Sequence, residues 1–165
     1  MITADYCRLM VRYNAWQNAS LVTASDVLSD AQRWEDRGLF FGSIAATLNH
    51  LLWDDALWLE RFAGNERPED TLPVALDTPS EWDSFKAMRT LRDDALAAWA
   101  ADLTDDDIQG RVAWYPAGGT QRVAKARAVC IAHLFNHQAH HRGQVHGMLT
   151  AAGTTPDATD LAMLG

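Results

Sequence analysis

The sequence predicts an all-α protein: a four-helix bundle with a short hairpin or structured loop before its last helix. Three observations carry that expectation. Apolar residues recur at three- to four-residue steps over four long stretches. One long polar connection with two prolines separates the second stretch from the third, and only residues 109–124 hold short β-prone runs. Amphipathic helices joined in this way bury their apolar faces against one another. The 165 residues suit one domain, 1–165, with a single core.

The first helix is expected over about residues 3–28, with Leu9, Tyr13, Trp16, Leu21 and Val27 on its inward face. Residues 29–42 lose the period and read as a connection with one short turn. The second helix is expected over about 43–63. Ser43 caps it, Ile44, Leu48, Leu51, Leu52 and Leu59 face inward, and Gly64 stops it. Residues 65–77 read as a loop. Thr78, Pro79 and Glu81 look like a cap, a first helical position and a capping-box partner, so the third helix is expected from 78 to about 103. The acidic run 104–107 belongs in solvent. Residues 109–124 flank Pro-Ala-Gly-Gly with β-prone runs, a hairpin or structured loop. The fourth helix is expected over about 124–152, closed by Gly153.

Composition narrows the function. A formal net charge of −8 with no basic block argues against nucleic-acid partners. No apolar run reaches the length of a membrane span, and the N-terminal apolar stretch carries charges unsuited to a signal peptide. Two cysteines, Cys7 and Cys130, form no disulfide framework and suit a reducing cytoplasm. Seven tryptophans supply broad surfaces for a core or an interface.

Five of the six histidines fall between His133 and His146. An α-helix turns about 100° per residue, so residues four apart share a face within about 40°. His137 and His141 are such a pair, on the stripe that also carries Cys130, Leu134 and Met148. His146 falls opposite His137 and is expected in solvent, while His140 sits at the stripe's other edge. Two imidazoles one turn apart can grip one metal ion, and a useful site needs a third ligand. His50, within the apolar segment TLNHLLW, is the only histidine outside this helix. It reads either as that third ligand or as a hydrogen-bonded core histidine. His133 is the alternative, disfavoured because ligands at i, i+4 and i+8 drift about 80° around the helix. Asp54, one turn past His50, could be a fourth ligand, an acceptor that orients an imidazole, or an ion-pair partner of Arg142, the plainest of the three.

The stretches RGLFFGSIAATLNHLLWDDALWLERF (37–62) and NHQAHHRGQVHGML (136–149) resemble the DinB family of bacterial proteins. Tyr13-Asn14-Ala15-Trp16 and Pro156-Asp157-Ala158-Thr159-Asp160-Leu161 look like that family's usual ends, so the likeness runs over nearly the whole chain. The resemblance implies a bundle with a divalent metal, zinc or nickel, on three histidines. One comes from the second helix and two from the last: His50, His137 and His141. It also implies a homodimer, and a kinship with bacillithiol- and mycothiol-dependent transferases. The family takes its name from induction by DNA damage, yet this acidic chain shows no DNA-binding surface.

Three neutral imidazoles leave a divalent ion with open positions, and Cys130 lies roughly 10 Å from His137 along the axis, too far to close the shell. That favours a metal-dependent enzyme activating water or a low-molecular-weight thiol, a hydrolase or thiol transferase acting on a small molecule. Asp54 and Arg142 are its candidate catalytic or substrate-contacting residues, with Tyr13 and Trp16 lining a pocket. The alternatives are a non-catalytic, metal-stabilised dimeric binding protein of the stress response, and a plain bundle without metal.

Overall fold

The structure, a computed structural model, describes residues 2–67, 71 and 79–165. Helix α1 (Ala4–Asp26) starts where Thr3, in extended backbone, accepts a hydrogen bond from the Tyr6 amide. Asp105 completes this start by accepting from the Ala4 amide at 2.7 Å, so one member of the exposed acidic run caps a helix 101 residues away. A short helix α2 (Asp30–Trp34), closed by a Ser29–Gln32 capping box, occupies the expected connection. Helix α3 (Ile44–Phe62) takes Ser43 as its cap and ends before Gly64, whose φ of +84° only glycine adopts freely.

Helix α4 (Trp82–Asp102) begins later than its sequence signals suggested. Thr78 lies outside the described residues. Pro79 is not the first helical residue: its carbonyl accepts from the Asn49 amide at 3.0 Å, and Glu81 stays extended as the N-cap without a side-chain bond. Strands β1 (Arg111–Trp114) and β2 (Val123–Ala126) form an antiparallel hairpin with Arg111 opposite Ala126. The second strand claims Val123–Ala126, so α5 (Arg127–Ala151) starts at Arg127 and runs to a stop at Gly153. A 3₁₀ turn, Leu161–Met163, lies near the end.

The four long helices form a bundle in which α1 packs on α4 and α5, and α3 packs on the same two. Two apolar cores stack along its axis. One gathers Cys7, Met10, Phe62, Leu96, Ile131 and Phe135, the other Leu21, Ile44, Leu52, Phe85, Val145 and Leu149. Between them runs a buried polar belt to which every long helix contributes. Asn14 donates to Gln138, Gln138 donates to Asp55, Asp55 meets Arg89 at 2.8 Å, and Arg89 meets Asp93 at 2.8 Å. Asn18 donates to Asp93 at 2.9 Å.

The belt explains why the inward face of α1 differs from the expected one. Leu9 and Val27 are exposed, and the buried face carries Cys7, Met10, Val11, Asn14, Asn18 and Leu21. Polar side chains fill the middle of the stripe because partners on α4 and α5 satisfy them there. Among the described residues, no helix is long and apolar enough to cross a membrane.

Candidate metal centre

Helix α3 carries His50 half-buried on its flank, and α5 presents His137 and His141 one turn apart on the facing side. Their Nε2 atoms converge. His50 and His137 stand 3.2 Å apart and His137 and His141 3.1 Å apart, with all three ligand atoms within 4.8 Å of one another. Imidazole nitrogens at about 2.0–2.1 Å around one tetrahedral ion would stand roughly 3.3 Å apart, so this spacing suits a shared cation.

The far side of two rings determines which nitrogen is free. Asp54 Oδ2 lies 3.0 Å from His137 Nδ1, and neither buried atom has another hydrogen-bond partner among the described residues. Gln144 Oε1 lies 2.8 Å from His141 Nδ1, while its amide nitrogen meets His140 at 3.1 Å. Acceptors at both Nδ1 atoms hold the protons there and turn the Nε2 lone pairs inward. A proton on one Nε2 could bridge one of the two contacts, but a single cation satisfies all three lone pairs. The donor set therefore fits a divalent metal.

Electrostatics reinforce the arrangement. Burial pushes His50 down to about 4, against the pull of Asp54, so this ring is neutral at pH 7. Burial also lowers His141, only partly offset by Gln144. Burial opposes charge on His137 too, but Asp54, with Asp55 behind it, outweighs that and raises its pKa. Phe41 stacks on His50 at 4.0 Å between ring centres and tilts against His141 at 5.3 Å, covering one side of the cluster. Phe40, at the tip of the same Leu39–Gly42 turn, is 85% exposed. A cleft of about 530 Å³ is lined by Arg37, Leu39, His140, Gln144, Gly147 and Ala151; none of the three clustered histidines lines it, and His140 and Gln144 are the lining residues that touch His141.

The other sequence candidates fall elsewhere. His133 is exposed, with its ring 5.3 Å from that of Trp58, and stays outside the cluster. His146 is half-buried rather than free in solvent. Asp54 orients His137 and does not pair with Arg142, whose Nη2 donates to Asn14 Oδ1 at 2.6 Å. Tyr13 sits beneath that guanidinium, 5.6 Å from ring centre to charge, and Trp16 packs edge-on against Tyr13. Gln144 is the site residue that sequence reasoning passed over. Its spacing of three from His141 was the available signal, since i and i+3 meet on a helix.

A helical bundle carrying a three-histidine cluster able to hold a metal ion is the class that fold and site define. The chain belongs to the DinB family, whose family model matches residues 1–164. Two solved structures share the fold. A DinB-like protein from Bacillus cereus ATCC 10987 is 19% identical, with 87% of this chain and 90% of that chain covered at a TM-score of 0.61. YfiT from Bacillus subtilis is 17% identical, with 94% of this chain and 92% of that chain covered at a TM-score of 0.62. YfiT is described as a probable metal-dependent hydrolase with an unusual four-helix bundle topology. No curated protein matches the chain by sequence.

Proposed function

We propose that His50, His137 and His141 hold a divalent metal ion, zinc or nickel, and that the protein is a metal-dependent enzyme of the hydrolase type. The observation that carries this reading is the convergence of three Nε2 atoms, two of them on rings whose Nδ1 meets an acceptor. When bound, such an ion supplies Lewis acidity and lowers the pKa of a water or thiol beside it. The chain's own residues do the rest. Asp54 orients His137 and offsets positive charge, Gln144 orients His141, and Phe41 shields His50 from solvent. His50 and His137 are only half-buried, which leaves the cluster open to a small substrate. Kinship to YfiT supports hydrolysis, and transfer of a low-molecular-weight thiol is the variant of the same chemistry that the family resemblance suggests.

The exposed Phe40 beside the cluster gives the rival reading, a metal-stabilised homodimer without turnover, its one support. Metal-loaded, untagged protein assayed against a panel of esters, amides and thiol-plus-electrophile pairs separates the two. Turnover that disappears in His137→Ala is the expected result. A wild type that retains metal, runs as a dimer and turns over nothing in the panel would favour the rival.

A further inference from the structure

A groove of about 380 Å³ opens between α3, α5 and the hairpin. Trp58 lines it from α3, Trp114 and Lys125 from the two strands, and Val129, Cys130 and His133 from α5. Its walls are mostly rings and aliphatic carbon. Trp58 and Trp114 meet edge-on at 5.7 Å, and the Arg61 guanidinium lies over both rings, 4.6 and 4.7 Å from their centres, which holds the pair in place. Val129 stands 61% exposed on the helix side.

The groove is cationic although the chain is acidic. No carboxylate lines it, and the charges that act on the Cys130 thiol in its floor are those of Arg61, Arg127 and Lys125. Lys125 is exposed, and its ammonium meets no carboxylate among the described residues. A row of rings joins the groove to the histidine cluster. Trp58 lies 5.3 Å from His133, and His133 lies 5.4 Å from His137. Cys130 in the floor is roughly 10 Å from His137 along the helix axis.

We propose that this groove seats the aromatic body of a small anionic substrate, with its charge at Lys125 and its reactive group toward His137. The substrate class rests on the reading of the three histidines as a metal centre, whereas the groove itself binds with or without an ion. Its volume and its few polar groups at the rim suit a flat, mainly apolar ligand that one charge orients.

The probe is 2-naphthoate, with 2-naphthalenemethanol as its neutral counterpart. Both are titrated calorimetrically into full-length, metal-free protein. Saturable binding is expected, tighter for the carboxylate by about three- to fivefold, the worth of one exposed ion pair. Lys125→Gln erases that preference, and Val129→Trp, which fills the groove from an exposed position, abolishes binding of both. His137→Ala leaves binding of 2-naphthoate unchanged, so loss of the metal and loss of the groove are told apart. In cobalt-loaded wild type, the proton resonances of bound 2-naphthoate broaden, and in Val129→Trp they do not. No saturable binding, equal binding of acid and alcohol, binding unchanged in Val129→Trp, or bound 2-naphthoate left sharp by cobalt held in the protein would overturn the proposal. Failure to take up cobalt would count against the metal centre and, with it, the assignment of the ligand as substrate.

Discussion

Asp54 places its Oδ2 3.0 Å from Nδ1 of His137, while the next residue, Asp55, turns to the opposite side and meets Arg89 at 2.8 Å. Two adjacent carboxylates thus serve two systems, the histidine cluster on the flank of α3 and the polar belt between the cores. The same division recurs on α5, where His137 precedes Gln138 and His141 precedes Arg142.

If Asp54 orients and charges His137, Asp54→Asn weakens zinc or nickel binding by about 10- to 100-fold, the usual effect of losing a hydrogen-bonding partner behind a ligand. Gln144→Leu removes a neutral acceptor and costs less. Competition titration against a chromophoric chelator ranks the two. Equal affinities in wild type and Asp54→Asn would refute the orienting role.

Metal binding should be lost on acidification in an order that the ring environments dictate. His137 is raised above the ordinary 6.5, so competition by its proton begins above that pH, whereas His50, down at about 4, stays available far longer. Removing the charge in Asp54→Asn lets His137 fall, and the pH midpoint of metal binding moves down even as affinity at neutral pH drops. In the metal-free protein, His50 contributes stability that is fully present above 6.5 and lost as pH falls toward 4. Melting curves of wild type and His50→Phe across that window test this, with the mutant expected to show the shallower decline.

Arg89→Met leaves Asp55 and Asp93 without their shared cation in a buried belt. Removing one partner of a buried ion pair costs about 3–5 kcal/mol. Urea unfolding measures it. A loss below about 1 kcal/mol, the range of an exposed pair, would mean that the belt is hydrated rather than closed.

The bundle was legible because Ile44, Leu48, Leu51 and Leu52 on α3, and Leu134 and Met148 on α5, repeat at helical spacing and are buried. The hairpin showed through two β-prone runs around a Pro-Ala-Gly-Gly turn. The histidine cluster was legible as spacing on α5, and His50 was singled out as the one histidine elsewhere. The belt was not. Asn14, Asn18, Gln138 and Arg89 are polar and add nothing to the apolar period, and only their contacts with one another and with Asp55 and Asp93 across four helices make their burial tolerable. The start of α4 was misplaced for a related reason. Pro79 sits in a good local signal, but its carbonyl is engaged by Asn49 on another helix.

The most direct measurement is X-ray absorption spectroscopy of the untagged full-length protein loaded with zinc or nickel, compared with the single alanine variants at His50, His137 and His141. The expected result is one ion per chain with three imidazole nitrogens near 2.0–2.1 Å for zinc, and one fewer in each variant. A spectrum without imidazole scattering, or one unchanged when His50 is replaced, would contradict a shared three-histidine centre.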